Sequence, residues 1–285
     1  MSKHEPIGMY RNMPAETYHS DAGVSNSMLS AMAKSPAHCW ALYLSPDRPE
    51  RERTAAMLAG TLAHTAILEP ATMASRYVVR PEGLDMRTKE GKAWRESIGE
   101  GVTIITADQV AAADSQRAAV LSVPYLRDLL ARGDSEVSLF WGDAETNLRC
   151  RARPDWLHPT GQRSVIALDI KTTSDITLDG ITRAITTYGY HRQAAHYRNG
   201  LRACGMDVEA FVFGFVSASY PFLAGAFVLD DESLQQGEQE VTELLDRFGE
   251  CLATNRWPAF GDGLQVVGLS RWARRSQEVE VSFVE

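Results

Sequence analysis

Residues 166–175, IALDIKTTSD, carry two charged side chains at the end of an apolar run that is typical of a buried strand. Alternate residues of a strand point to the same face, so Asp169 and Lys171 are expected to project together. Burying an unpaired charge is costly, and a strand of this kind should otherwise be apolar throughout. The pair therefore marks either an exposed edge strand or a site of chemistry, and a lone D-x-K triplet favours the exposed edge.

The segments around this stretch predict a mixed α/β fold. The first half of the chain is helical, with a helix that begins at Ser25 or Asn26, a buried helix over 54–68, and a helix opened by the capping-box pair Thr106 and Gln109. The sequence pattern then changes from helical to strand-like, and we predict a mostly antiparallel meander over 136–141, 147–153 and 164–170. The segments GDAET and PDWLHPTGQR are predicted to be the turns between them. Two helical pieces over 177–203, ended by Gly205, two further strands (209–218 and 222–229) and an amphipathic helix follow.

Composition limits the classes of protein that the chain can belong to. The 285 residues have 44% hydrophobic content and a formal net charge of −8, which argues against a protein that coats nucleic acid without specificity. A basic groove within an acidic body remains compatible with that charge. The four cysteines form no CxxC pair, so a zinc knuckle or redox motif is unsupported. No apolar leader or membrane-length run is present, and we expect a soluble, cytoplasmic protein that does not enter membranes.

A second carboxylate precedes the charged strand. Asp155 follows Pro154 directly, and thirteen residues separate it from Asp169. If the strand before Asp155 pairs with the strand of Asp169, the two carboxylates lie side by side, where they repel each other unless a cation sits between them. Mg²⁺ prefers such oxygen ligands, and Lys171 could orient a water or stabilise charge on a phosphate. The combination predicts metal-dependent phosphodiester hydrolysis.

The same residues resemble a known nuclease signature. Pro154-Asp155 with Asp169-Ile170-Lys171 resembles the PD-(D/E)xK motif, and GTLAHTAILEP (60–70) and YHRQAAHY (190–197) resemble the Gly-x-x-x-His and Gln-x-x-x-Tyr helices of its RecB-like branch. RARPDWL and ALDIKTTSD resemble the core strands of the RecE-type, or exonuclease VIII, nuclease domain. The resemblance covers residues 18–260. It implies an α/β restriction-endonuclease-like core with a central mixed sheet flanked by helices.

The resemblance also implies a domain plan and a role for each matched residue. We expect a single nuclease domain over 1–285, with a helical part at 1–53, the core at 54–260 and a tail at 261–285. The implied metal ligands are His64, Asp155, Asp169 and the carbonyl of Ile170. Lys171 would activate the attacking water, while Gln193 and Tyr197 would position the DNA strand and the lysine. The implied cation is Mg²⁺, for which Mn²⁺ should substitute.

Several of these residues have a plainer interpretation. A single His64 in an apolar helix is usually a core histidine, although Gly60, one turn earlier, would permit another backbone to approach. Gln193 and Tyr197 could be a surface pair. Glu69 is better explained as a helix-end residue, and Glu136 is a weaker candidate for a supporting carboxylate. The two histidines that flank the Gln motif, His191 and His196, are expected to face solvent.

Basic and hydroxyl side chains are candidates for DNA contact. Arg149, Arg151 and Arg153 alternate along one strand, so they share a face that is either solvated or, as we predict for Arg151 and Arg153, in contact with phosphates. Hydroxyls at helix starts suit a terminal 5′-phosphate, which makes Ser27 and Ser35 candidates, together with Ser25 and Lys34. The arginines at 271, 274 and 275 are expected to form a solvated tail.

The expected function is a Mg²⁺-dependent exonuclease that resects linear double-stranded DNA from the 5′ end. The 3′ single strand would pass to a RecT-like annealing protein, and the enzyme would form a homo-oligomeric ring, with a tetramer favoured. Two alternatives stay open, namely a related endonuclease or single-strand nuclease, and a non-catalytic DNA-binding scaffold with a nuclease fold. The sequence assigns no role to residues 76–105.

Overall fold

The computed structural model describes residues 5–49, 54–260 and 263–268. Its strands are β1 (Gly8–Tyr10), β2 (Tyr77–Val79), β3 (Thr103–Ile105), β4 (Asp134–Ser135), β5 (Ser138–Gly142), β6 (Arg149–Ala152), β7 (Trp156–Pro159), β8 (Ser164–Thr173), β9 (Asp207–Ser217) and β10 (Ala224–Val228). Its α-helices are α1 (Ala15–Ser20), α2 (Asn26–Lys34), α3 (Pro36–Cys39), α4 (Ala55–Leu68), α5 (Met73–Arg76), α6 (Lys89–Glu96), α7 (Ala107–Ser122), α8 (Pro124–Leu130), α9 (Leu178–Tyr188), α10 (Tyr190–Ala203) and α11 (Asp231–Thr254). A π-helical turn follows α3, and a 3₁₀ turn follows α4.

The strands form three sheets. The largest has the order β10-β9-β8-β7-β4, in which β8 and β9 are parallel and the other neighbours antiparallel. A second sheet has the antiparallel order β1-β5-β6, and β2 pairs with β3 in parallel. The central sheet is thus mixed and flanked by helices, which confirms the predicted fold class.

The central strand β8 is buried on both faces by different helices. Leu168 and Ile170 pack with residues of α4, α7 and α8 on one face. Val165 and Ala167 pack on the other face, with residues of α2, α10 and α11. A strand covered on both faces reads as a continuous apolar run, as this one does up to Leu168. Asp169 and Lys171 continue the face of Val165 and Ala167 and are therefore directed towards the α10 side.

Local signals in the sequence set several helix ends where they were predicted. Ser25 caps α2 by accepting a hydrogen bond from the Met28 amide, and Thr106 and Gln109 form the capping box of α7. The helical pieces α9 and α10 meet at Gly189, which has φ +67°, and Gly205, with φ +80°, follows the end of α10. Glycine tolerates this left-handed region at little cost, so both residues end a helix cleanly.

The prediction that PDWLHPTGQR is a turn was wrong. Its first part forms β7, which pairs with β8 from Trp156–Leu168 to Pro159–Val165. The strand before it, β6, pairs with β5 in the second sheet instead of with β8, so the three strands of the predicted meander do not form one sheet. The strand has only four residues, the last of which is Pro159, and its Trp156 indole donates to the Leu129 carbonyl of α8. These tertiary contacts, which no local pattern reveals, outweigh the turn signal of the prolines.

Two further predictions concern the C-terminal tail and the absence of membrane-spanning helices. The basic tail at 271–275 lies outside the described residues. Within the ranges that the structure describes, none of the helices has the length and apolar character needed to cross a lipid bilayer.

Candidate active site

The site lies where β7 stops pairing with β8. Their last pair is Trp156 with Leu168. Beyond it, β7 offers no backbone partner to the N–H of Ile170, two residues further along β8. The Asp155 carboxylate takes it, with Oδ2 at 2.7 Å from the Ile170 nitrogen. Asp155 thus lies beside the D-x-K segment, as predicted, but from the start of β7 and through a side chain that replaces a backbone partner.

Asp169 is held by two side chains, Gln193 of α10 and Lys171 of its own strand β8. The amide of Gln193 donates to Asp169 Oδ2 at 2.7 Å, and the ammonium of Lys171 forms an ion pair with Oδ1. The Asp169 side chain is 2% exposed, and Gln193 is buried on α10. The alternative interpretation of Gln193 and Tyr197 as a surface pair is therefore excluded, because Gln193 is buried and holds a carboxylate in position.

His64 reaches the same point from α4. Its Nδ1 lies 3.5 Å from Asp155 Oδ2, and its ring hydrogen-bonds the Ile170 backbone. Burial lowers the pKa of His64, although Asp169 opposes this effect. The neutral imidazole favoured by this environment is the form that binds metals. The structure thus brings together His64, Asp155, Asp169 and the Ile170 backbone.

The site buries one more carboxyl group than its single ammonium can pair with in the ionised form. Burial and the nearby Asp169 raise the pKa of Asp155 well above its usual range, against the effects of Lys171 and the Ile170 amide. Burial alone would lower the pKa of Lys171, but Asp169 and Asp155 outweigh it and the pKa is raised. The site therefore buries two carboxyl groups beside one ammonium and a neutral imidazole, and without a cation the second carboxyl group, Asp155, is favoured in its protonated form. A bound cation would favour the ionised form of both carboxyl groups.

The donor set fits a divalent cation on this ground. Oxygen ligands with one imidazole suit Mg²⁺ or Mn²⁺, and the buried carboxylate oxygen Asp169 Oδ1 makes no well-directed hydrogen bond. As the side chains are placed, however, no three His, Cys, Asp or Glu residues of the described ranges stand close enough to enclose a metal ion. The ammonium of Lys171 pairs with that same Asp169 oxygen.

Glu136 also belongs to the site. Its backbone has φ +52°, an unusual value for glutamate, and its amide donates to the Asp155 carbonyl at 3.0 Å. Its carboxylate lies 2.9 Å from Nε of Arg153. Burial, followed by the charge of Asp155, raises the pKa of Glu136 to about 7. The sequence ranked Glu136 as a weaker candidate, because nothing local shows that it stands beside Asp155.

Tyr190 is a site residue that the sequence did not single out. Lys171 Nζ lies 4.8 Å from the centroid of its ring, which is a cation–π distance. The lysine was expected to be positioned by Tyr197, which instead packs edge-on against Phe211. The only available signal was the place of Tyr190 within YHRQAAHY, and that pattern does not indicate which aromatic residue meets the lysine.

The three arginines of β6 and its end face the protein interior and not a solvated surface. Arg149 pairs with the buried Asp21, with Nη2 at 2.7 Å from Oδ2. Arg151 is 8% exposed and donates to the Tyr18 carbonyl. Arg151 Nε and Arg153 Nη1 are nevertheless buried atoms without a hydrogen-bond partner. Arg151 and Arg153 keep unused donors, whereas Arg149 is committed to Asp21.

A cavity of about 300 Å³ adjoins these two arginines. Its lining includes Ser27, which is exposed, and Tyr197. Ser35 does not belong to it, because its buried hydroxyl caps α3 and hydrogen-bonds His38 Nδ1 at 2.7 Å. Of the three predicted serines, Ser25 and Ser27 therefore line the cavity next to the predicted phosphate-binding arginines, and Ser35 does not.

A larger cavity of about 950 Å³ opens on the His64 side of the site. His64, Glu136 and Arg153 line it, whereas Asp155 and Asp169 are not among its lining residues. Part of its wall comes from the segment 76–105, through Arg76, Tyr77, Gly101 and Thr103. The segment to which the sequence assigned no role thus borders the candidate active site.

Two smaller expectations were wrong. Gly60 is not required by a close backbone, since a Cβ there would have as its nearest neighbour the Thr172 hydroxyl at 3.8 Å. His196 is 1% exposed, packs against Trp141 with the two rings tilted, and contacts the Arg151 carbonyl through Nε2 at 3.1 Å. His191 is largely covered and pairs with Glu240 of α11. The α10 helix is packed on more sides than its polar sequence indicates.

Comparison with known families places the fold. The family described as "PDDEXK-like domain of unknown function (DUF3799)" matches residues 25–267. The chain belongs to this family. The PDDEXK-like fold also matches a crystal structure of a "Putative exonuclease" from Eubacterium rectale, with a TM-score of 0.57 and 14% identity over 92% of this chain and 97% of that one. A search of curated proteins finds no match. The chain thus has the nuclease fold of the PD-(D/E)xK superfamily.

Proposed function

We propose that this protein is a metal-dependent DNA exonuclease of the RecE type. The observation that carries the proposal is the buried cluster of Asp155 and Asp169 beside Lys171, with His64 directed at it from α4. An excess of buried carboxylate is costly for stability, and structural needs alone would be met by apolar residues. A site that binds a cation and a phosphate explains the cost.

His64, Asp155, Asp169 and the Ile170 carbonyl would hold the Mg²⁺ or Mn²⁺ ion. When bound, such an ion lowers the pKa of water and stabilises negative charge on the phosphate. Gln193 keeps Asp169 oriented through its 2.7 Å hydrogen bond. Lys171 has a raised pKa and is therefore an ammonium, which orients the attacking water by donating to it and stabilises the charge that develops on the phosphate oxygens.

Arg151, Arg153 and Ser27 are proposed to bind DNA phosphates. The unpartnered Nε of Arg151 and Nη1 of Arg153 are donors that a phosphate would satisfy, and a buried donor without a partner is otherwise unfavourable. Arg151, Arg153, Ser27 and Tyr197 all border the 300 Å³ cavity next to Glu136. Ser35 contributes, in this proposal, by capping α3 and not by direct contact.

The direction of resection and the partners extend this proposal. The RecE-type motifs support digestion from the 5′ end of linear duplex DNA, transfer of the 3′ strand to a RecT-like annealing protein, and a ring of four chains. A ring also reconciles the net charge of −8 with DNA binding, because the acidic residues can face outwards while the basic ones line a channel. Light scattering would then give a mass about four times that of one chain, 31.5 kDa.

The proposal is tested with linear duplex DNA labelled at either 5′ or 3′ ends, beside closed circular DNA. We expect Mg²⁺-dependent release of mononucleotides from the 5′ end, none from circles, and none in EDTA. Equal cutting of linear and circular DNA would favour the endonuclease alternative. Intact DNA with Mg²⁺ and with Mn²⁺, together with retained DNA binding, would favour the scaffold.

A further inference from the structure

We propose that Tyr188 stacks on an unpaired nucleobase adjacent to the phosphate that is cut. This inference rests on the proposed nuclease function and adds a base-binding position to it. Tyr188 is the last residue of α9 and is 62% exposed. Its ring does not contact the carboxylates of the site directly. It contacts the Tyr190 ring, which in turn lies against Lys171.

A series of aromatic rings leads from the core, past the catalytic lysine, to solvent. The rings of Phe213 and Tyr190 are stacked, with centroids 5.6 Å apart and planes 29° apart. Tyr190 and Tyr188 repeat this spacing at 5.6 Å and 31°. Tyr190 is also the ring over which Lys171 Nζ lies, at 4.8 Å. Tyr188 is therefore one ring removed from the residue that contacts the reacting phosphate.

The elbow between α9 and α10 holds the Tyr188 ring in this place. Gly189 turns the chain with φ +67°, and a Cβ on it would lie 2.0 Å from the Arg192 guanidinium. Arg192 is itself fixed by Glu240 of α11 at 2.6 Å. Gly189 and Arg192 thus restrict the backbone turn that carries Tyr188. Binding a ligand to its ring would therefore cost little conformational entropy of the backbone.

A nucleobase is the occupant that this position favours. Single strands are bound by aromatic side chains on which bases stack, and each such contact contributes about 1–3 kcal/mol. Tyr190 lies 4.8 Å from Lys171 Nζ and 5.6 Å from the Tyr188 ring, so a base next to a phosphate at Lys171 would be within reach of Tyr188. Stacking requires the base to be unpaired or at a frayed end, which a nuclease that removes terminal nucleotides produces at each step.

The test compares Tyr188→Ala and Tyr188→Trp with the wild type and with Tyr125→Ala. Tyr125 is a matched control, because it is 49% exposed on α8, away from the aromatic series. Binding of a fluorescent single-stranded oligonucleotide is measured by anisotropy in EDTA, which removes the metal and so prevents cleavage during the measurement. Cleavage with Mg²⁺ is measured on strands with one abasic position moved along the sequence.

We expect Tyr188→Ala to weaken binding and raise KM about tenfold with little change in kcat, while Tyr188→Trp and Tyr125→Ala match the wild type. One abasic position next to the cut should raise KM for the wild type and have no effect on Tyr188→Ala. If wild type cleaves and Tyr188→Ala has the same KM and abasic response, the stacking site is disproved and the nuclease stands. If the wild type cuts nothing yet binding still depends on Tyr188, the nuclease proposal fails and the stacking site stands.

Discussion

The environment of Asp155 differs strongly from that of an ordinary carboxylate. It accepts the Ile170 amide at 2.7 Å and is buried near Asp169, which raises its pKa well above the usual range. Without a cation it is therefore favoured as the neutral acid. The same residue is thus stable in the metal-free protein as a hydrogen-bond acceptor and, in our proposal, acts as an anion when metal is bound.

This contrast predicts the behaviour of Asp155→Asn. The amide oxygen can still accept from Ile170 and resembles the protonated acid, so the free energy of unfolding in urea should change by less than about 1 kcal/mol. Nuclease activity should fall by at least about 100-fold, because the amide is a poor ligand for the cation. A variant that keeps wild-type activity would show that Asp155 does not bind the metal.

His196 predicts a pH dependence of stability. Burial lowers its pKa to about 4 from the ordinary 6.5, so the folded state keeps it neutral where the unfolded state binds a proton. Stability from this residue is complete above pH 6.5 and is lost as the pH falls towards 4, by up to about 3 kcal/mol. Urea unfolding at pH 7 and pH 5 should show a smaller loss for His196→Gln than for the wild type. Equal losses would contradict the assignment.

At the residue scale, the sequence predicted which residues belong to the site better than it predicted their burial and contacts. The D-x-K pair and Asp155 were singled out because charged side chains are unusual beside an apolar strand, and His64 and Gln193 were singled out through the resemblance to the nuclease motifs. The role of Tyr190 and the burial of His196 were not predictable, since both depend on which helix packs against α10. The same holds for the contact of Glu136 with Asp155, which is made through backbone atoms that any residue possesses.

At the scale of elements, α10 and α11 pack closely because of one glycine. A Cβ at Gly237 would lie 2.4 Å from the His191 carbonyl oxygen, whereas at Gly249, on the same helix, the nearest atom would be Leu148 Cδ1 at 3.9 Å. Backbone cannot move aside as a side chain can. The contact matters for the site, because α10 carries Gln193.

The two glycines form a matched pair of tests. Gly237→Ala should destabilise the protein by about 1–3 kcal/mol, since the helices must separate. Gly249→Ala should be neutral or stabilise by up to about 1 kcal/mol, because alanine has the higher helix propensity. Thermal or urea unfolding of both variants gives the comparison. Equal effects would show that the close approach at Gly237 does not limit packing.

The predictability of each element followed the range of its determining contacts. Capped helices such as α2 and α7 were predicted closely, because their caps lie within four residues of the helix start. The short strand β7 was missed because its partners, Leu129 and β8, are distant in sequence or unmarked by any pattern. Its omission also led to the wrong reason for the closeness of Asp155 and Asp169.

For the whole molecule, the fold is established and the activity is proposed. The mixed sheet and the PDDEXK-like family follow from structure and comparison, while the ring, the polarity and the partners depend on the resemblance to RecE-type nucleases. The order of motifs along the chain was sufficient to predict the fold class. Their three-dimensional arrangement adds a second buried carboxyl group, Asp155, beside the Asp169–Lys171 pair, and this costly group is the reason to propose a catalytic cation site.

The most direct measurement is hydrolysis of linear duplex DNA with saturating Mg²⁺ by the wild type and by Lys171→Ala. Lys89→Ala, an exposed lysine of α6, serves as the control. We predict nucleotide release by wild type and Lys89→Ala, none in EDTA, and a loss of at least about 100-fold in Lys171→Ala with DNA binding retained. Hydrolysis by Lys171→Ala at the wild-type rate, or none by any of the three proteins with Mg²⁺ or Mn²⁺, would contradict the central claim.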